Sequence, residues 1–197
     1  MNPVLFVTSH LCSGADGLIS ILNINPRIEM LCPQIVYEHP TDLEPLIEQQ
    51  HKLSNTAAIY GDYLWYNSQF SCKALYKLCK FVYVIREAKS SINEITEHYR
   101  HSIDMVPAYY AFRLRRICEM AKRTPGAVLL TWNDLATGKG LPLIEEYLRL
   151  KTPLIHHAEL FTHSELDDVP NEIIEKSQEC YERHLYFLRH LELRQTV

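Results

Sequence analysis

Residues 3–24 read PVLFVTSHLCSGADGLISILNI, and three parts of that stretch decide the fold. Pro3 to Thr8 (PVLFVT) is a short apolar run. Ser9 to Gly14 (SHLCSG) is a small, polar turn, and Ala15 to Ile24 (ADGLISILNI) restarts with helical spacing. A strand that enters a helix through so tight a loop turns backbone N–H groups toward one place, where an anion is favoured. The loop is thus shaped for phosphate, yet it carries no Lys or Arg.

Working outward, the pattern of short apolar runs and amphipathic stretches repeats. Gln34 to Glu38 (QIVYE) is an expected strand, and Thr41-Asp42-Leu43-Glu44 reads as a capping box opening a helix to about Leu53. Thr56 to Tyr60 is an expected strand closed by Gly61, and Ser68 to Leu78 has helical spacing. Phe81 to Ile85 (FVYVI) is apolar throughout, which suits a central strand covered on both faces. Helices are expected at about Lys89 to His101 and Pro107 to Arg123, then a strand at Gly126 to Thr131. Pro142 suits a first helical turn, so a helix runs from there to Leu150, followed by a loop over Lys151 to Ser164. A long last helix spans about Val169 to Leu193, with Ile173, Cys180, Leu188 and Leu191 along one stripe. Strands alternating with helices predict an α/β fold in three layers, a central, mostly parallel sheet of 4–5 strands flanked by helices. Such sheets bind ligands at the carboxyl ends of their strands.

The chain of 197 residues is expected to be a single domain, 1–197, with a C-terminal helical segment at about 165–197. That segment is as able to form a homo-oligomer interface as a core element. At 47% hydrophobic and 22% charged residues, there is enough apolar surface for a substantial core. The formal net charge of −4 argues against a nucleic-acid partner. No charged-then-apolar leader and no apolar run near membrane-spanning length is found, so no membrane association is expected. Cys12, Cys32, Cys72, Cys79, Cys118 and Cys180 form no C-x-x-C pair and no zinc spacing, which fits reduced thiols and a cytoplasmic protein without metal.

With these segments in place, the chain resembles the sulfotransferase family. Three segments carry the likeness: Val4 to Ile24, Lys80 to Ile95 (KFVYVIREAKSSINEI), and Tyr109 to Leu150 with its AKRTPGAVLLTWNDL run. The resemblance implies a P-loop-like α/β fold. It also implies transfer of a sulfuryl group from phosphoadenosine phosphosulfate (PAPS) to a hydroxyl or amine, with a small-molecule or glycan acceptor that the sequence does not name. It places Ser9, His10, Cys12, Ser13, Gly14, Ala15 and Asp16 in the loop for the 5′-phosphosulfate. Arg86 stands at the arginine for the 3′-phosphate, and Glu94 at the serine eight residues after it.

Sulfuryl transfer needs positioning and compensation of charge on the leaving phosphate oxygens, as phosphoryl transfer does. Cys12 stands where the family carries a Lys or Arg, Ala15 and Asp16 where it carries hydroxyl residues, and Glu94 where it carries a serine. The charged differences all make the site more negative. Asp16 near a helix start also reads as a cap. His10 is a candidate cation if protonated beside a phosphate, or else an ordinary loop or core histidine. Arg86 is either a ligand to the donor or half of a structural ion pair. Arg113 and Arg116 read as a solvated helix face. Glu38 in Tyr37-Glu38-His39-Pro40 is the candidate general base, His39 the second choice, and His10 completes the catalytic set. Two readings therefore stand: a divergent sulfotransferase, or a catalytically degenerate protein of the same fold that serves binding or assembly.

Overall fold

Residues 81–85 are apolar at every position because both faces of their strand are covered. The computed structural model describes residues 4–30, 59–64, 75–99, 104–161 and 169–196. β1 (Val4–Ser9) passes through a loop into α1 (Ala15–Ile24), followed by β2 (Ile28–Met30) and β3 (Ile59–Leu64). A 3₁₀ turn (Leu75–Leu78) enters β4 (Cys79–Ile85), and α2 (Ala88–Tyr99), α3 (Val106–Ala121) and β5 (Val128–Thr131) come next. The chain continues through α4 (Trp132–Ala136), α5 (Leu141–Leu148), a 3₁₀ turn (Ala158–Leu160) and α6 (Asn171–Arg189). The five strands lie in the order β2-β3-β1-β4-β5, and every described pairing is parallel.

Side-chain alternation along β1 and β4 builds two cores. Val4 and Phe6 with Phe81, Tyr83 and Ile85 face α2, α3 and α6. Leu5 and Val7 with Val82 and Val84 face α1 and α5. Phe81 packs against Phe6 at 5.7 Å between ring centroids and stacks on Tyr83 at 6.2 Å. A one-residue slip of β4 would swap its entire set between the two cores. Both cores are apolar, so such a slip would cost fitted packing rather than burial, because Phe81 and Tyr83 would exchange places with the smaller Val82 and Val84. The α6 stripe, with Ile173, Cys180 and Leu188, packs into the first core together with Leu191, which lies beyond the helix end at Arg189 rather than within the helix expected to reach Leu193. The far edge of β5 is closed by the C-terminal tail: Arg194 N–H donates to the Ala127 carbonyl at 2.8 Å, and Leu129 N–H donates to the Arg194 carbonyl at 2.9 Å.

Three elements differ from expectation. The third strand begins at Ile59 and runs through Gly61 rather than ending there, with Gly61 opposite Leu5 of β1. A Cβ on Gly61 would lie 2.8 Å from the Leu5 carbonyl oxygen and run into Met30 Sδ, so glycine here permits close strand approach rather than a turn. β2, at Ile28–Met30, had no sequence signal beyond three residues. α4 was also unforeseen, although Thr131 and Asp134 form a capping box that opens it. The expected strand at Gln34 to Glu38 and the helix opening at Thr41 lie outside the described residues, as does most of the helix expected from Ser68. Among the described residues no helix is long and apolar enough to cross a membrane.

Candidate functional site at the carboxyl ends of the strands

The strand order fixes where a ligand crevice belongs. β1 leaves through α1 toward β2 on one side, and β4 leaves through α2 and α3 toward β5 on the other. β1 and β4 are neighbours, so their carboxyl ends form the point where the order reverses. The 10–14 loop and Arg86 meet there.

The loop makes its turn with two left-handed residues, Cys12 at φ 56° and Gly14 at φ 91°. Gly14 is the N-cap of α1, so Asp16 sits within the first turn as an exposed carboxylate. The expectation that Asp16 caps the helix is therefore corrected, because no cap position remains for it. Leu11 N–H, one of the loop donors, is taken by the Tyr109 hydroxyl at 3.1 Å. Ser9 Oγ donates to the His10 carbonyl at 3.0 Å. Ser13 Oγ is buried and has no hydrogen-bond partner among the described residues. Ala15 is buried and lines the second core.

Arg86 lies at the end of β4 with only 2% of its side chain exposed. Its guanidinium is ion-paired with Glu94 of α2 and donates to the Cys12 carbonyl at 2.9 Å. The Trp132 ring lies 4.7 Å below it. Trp132 also abuts the loop, for a Cβ on Gly14 would lie 2.9 Å from Trp132 Cδ1. The indole thus ties the loop turn to the strand end. Burial pushes the Cys12 thiol up to about 12; Glu94 and Asp16 add to the shift and Arg86 opposes it. Cys12 accordingly brings no charge to the loop.

His10 is a core histidine. The Arg86 backbone N–H donates to Nε2 at 3.0 Å, and Nδ1 lies 2.8 Å from the Leu11 carbonyl. A backbone N–H can only donate and a carbonyl can only accept, so the proton sits on Nδ1 and the ring is neutral. Burial, helped by the charges of Arg113 and Arg86, holds its pKa down to about 4. The expected protonated His10 is not what this environment supports. Tyr110 packs edge-on to the ring at 4.9 Å and donates its hydroxyl to the Arg86 carbonyl at 2.6 Å.

Arg113 corrects a second expectation. It is 3% exposed, and both its Nε and an Nη donate to the Ser9 carbonyl. It is not on the solvated face, and Arg116 is itself half-buried, paired with Glu119 at 2.8 Å. Helical spacing carried the signal: Arg113 stands three residues after buried Tyr110 and four before buried Ile117. Glu38 and His39, the candidate bases, lie outside the described residues. Loop residues Ser9 to Asp16, Arg86 and Glu94 are therefore brought together, with Arg113, Tyr110 and Trp132 added by the structure. Beside them a cavity of about 260 Å³ opens between Arg86, Trp132, Tyr181 and Arg189.

No family model and no curated protein matches the sequence. Solved structures do resemble the fold. Mouse sulfotransferase SULT7A1, complexed with PAP, matches at a TM-score of 0.52 and 15% identity over 89% of this chain. This chain spans only 62% of that protein's length. Retinol dehydratase in complex with androsterone and inactive cofactor PAP matches at a TM-score of 0.54 and 11% identity, covering 98% of this chain and 83% of that one. Its complex with retinol and PAP gives 0.53 and 11%, over 98% and 84%. The parallel order β2-β3-β1-β4-β5, the loop between β1 and α1, and these likenesses place the chain in the sulfotransferase fold.

Proposed function

We propose that this chain is a catalytically degenerate protein of the sulfotransferase fold, acting as a binding or assembly module rather than as a sulfuryl transferase. One observation carries the reading: the Arg86 guanidinium is already neutralised by Glu94 and bonded to the Cys12 carbonyl. The resemblance assigns that guanidinium to the 3′-phosphate of PAPS. A phosphate brought there would meet the Glu94 carboxylate in the same place. Two like charges about 4 Å apart repel by roughly 4 kcal/mol at an effective dielectric near 20. That is about a thousandfold in affinity. Neutral His10 and Cys12 supply no compensating charge in the loop. The residues present do not fit the donor.

The test is thermal shift with adenosine 3′,5′-bisphosphate, the product nucleotide. A site with Kd about 10 μM would gain about 2.7 kcal/mol at about 1 mM ligand. In a chain of this size that is roughly 5–11 °C. The expected result is no shift for the natural protein and a measurable one for Glu94→Ser. A shift of full size in the natural protein, lost in Arg86→Ala, would overturn the proposal.

One feature favours the second reading, a divergent sulfotransferase using PAPS. Ser13 Oγ, at 1% exposure and without a partner among the described residues, stands at the start of α1 where an anion would find it. On that reading Ser13 and Arg86 hold the donor and Glu38 or His39 deprotonates the acceptor. The same titration decides between the two.

A further inference from the structure

A cavity larger than the one beside Arg86 lies at the opposite end of the sheet. β4 starts at Cys79, whereas β5 pairs with it only from Val82 opposite Val128. Cys79 to Phe81 thus extend past the start of β5 and leave a notch. The notch is about 440 Å³, with Phe81, Cys79, Pro125 and Tyr147 among its walls. Tyr147 of α5 is a fixed wall, because its hydroxyl accepts the Phe81 backbone N–H at 3.1 Å. Burial pushes the Cys79 thiol up to about 12, so it presents a neutral sulfur. The volume is about three times the roughly 150 Å³ that admits a benzene ring, enough for a bicyclic body.

Cations gather around this apolar floor in a chain whose net charge is −4. Lys77 and Arg123 line the cavity and are exposed. Lys80 lies 4.1 Å over the Tyr147 ring and Arg194 lies 5.5 Å from the same ring. Glu146 beside Tyr147 is engaged by Arg194 at 2.9 Å. Lys80 has its pKa lowered by burial and then by Arg149 and Arg194, the effect of like charges close at hand.

We propose that this notch binds a small amphipathic anion: an aromatic or short aliphatic body seated on Phe81, Cys79, Pro125 and Tyr147, with one sulfonate, sulfate or carboxylate between Lys77 and Arg123. The apolar floor supplies affinity and the paired cations select the charged head. The site shares no lining residue with the cavity beside Arg86.

Isothermal titration calorimetry with 2-naphthalenesulfonate and uncharged 2-naphthol tests it. The sulfonate is expected to bind once per chain and about tenfold tighter than the naphthol, as two partly screened charge contacts allow. Lys77→Glu with Arg123→Glu removes that tenfold preference, and Cys79→Phe, which fills the notch, abolishes binding of both. The charge reversals lie on exposed residues and keep the test valid if Cys79→Phe fails to fold. No binding at about 1 mM sulfonate, or an affinity unchanged by the two reversals, overturns the proposal.

Discussion

Arg86 and Glu94 stand eight residues apart and close one ion pair across the turn from β4 into α2. The arginine is 2% exposed and the glutamate 19%. Removing the glutamate leaves a buried cation with less compensation than it was folded with. Glu94→Gln is expected to cost about 2–3 kcal/mol, somewhat below the usual cost of breaking a fully buried pair because Glu94 reaches solvent. Urea denaturation measures it. Replacing both partners, Arg86→Met with Glu94→Leu, should recover most of the loss, since the desolvated charges leave together. A double variant as unstable as the sum of Arg86→Met and Glu94→Leu measured singly would show that the pair is not coupled.

The layering was readable because it is written in local pattern. Phe81 to Ile85 reads as a doubly covered strand from its composition alone, and β4 does lie between β1 and β5. The loop from β1 into α1 was readable for the same reason. The site was readable only in part. From the sequence Arg86 reads as either ligand or ion pair, and the ion pair with Glu94 becomes visible only in the structure. The state of His10 was not readable, because it depends on the backbone N–H of Arg86, seventy-six residues away. Arg113 was misplaced although its spacing from Tyr110 and Ile117 puts it on the buried stripe. Charge outweighed periodicity in that reading, and a buried carbonyl at Ser9 that needs a donor was invisible in the sequence.

His10 makes stability depend on pH with a definite sign. Its pKa is about 4 when folded and 6.5 as a free side chain. The unfolded chain therefore binds more protons between those values. The contribution is fully present above about pH 6.5 and is lost as pH falls toward about 4, by on the order of 3 kcal/mol in total. Ordinary carboxylates titrate mostly below about pH 5, so the window from about pH 5 to 6.5 belongs to the ten histidines, and a His10 variant separates His10 from the other nine. Melting temperature should fall as pH is lowered through that window in the natural protein. His10→Gln, which keeps a donor and an acceptor but cannot charge, should lose this slope. Parallel curves for the two proteins would refute the assignment.

Arg113 pins the end of β1 to α3 through the Ser9 carbonyl. Arg113→Ala removes two N–H donors from that carbonyl and empties a buried volume, at an expected cost of about 2–4 kcal/mol. Arg113→Lys should rescue little, because a single ammonium cannot reproduce two N–H groups directed from a planar fork. Amide hydrogen exchange in residues 10–14 should accelerate in both variants, since the loop loses the anchor beneath it. Protection unchanged in that loop would mean that Arg113 serves α3 packing alone.

Gly14 separates two causes of strain at the loop. Its φ of 91° is a conformation that side chains avoid, and a Cβ there would lie 2.9 Å from Trp132 Cδ1. Gly14→Ala meets both penalties and is expected to cost about 2–3 kcal/mol, of which the backbone part is about 1–2. Gly14→Asn meets the contact but tolerates the left-handed backbone better, so it should cost less than Ala by up to about 1 kcal/mol if backbone strain dominates. If the contact with the indole dominates, Asn should cost at least as much as Ala. Trp132 emission, read in a Trp65→Phe background, should shift in either variant because the indole must move from its place under Arg86. An unshifted emission with unchanged stability would mean that the loop relaxes freely, and that Trp132 does not couple the loop to the end of β4.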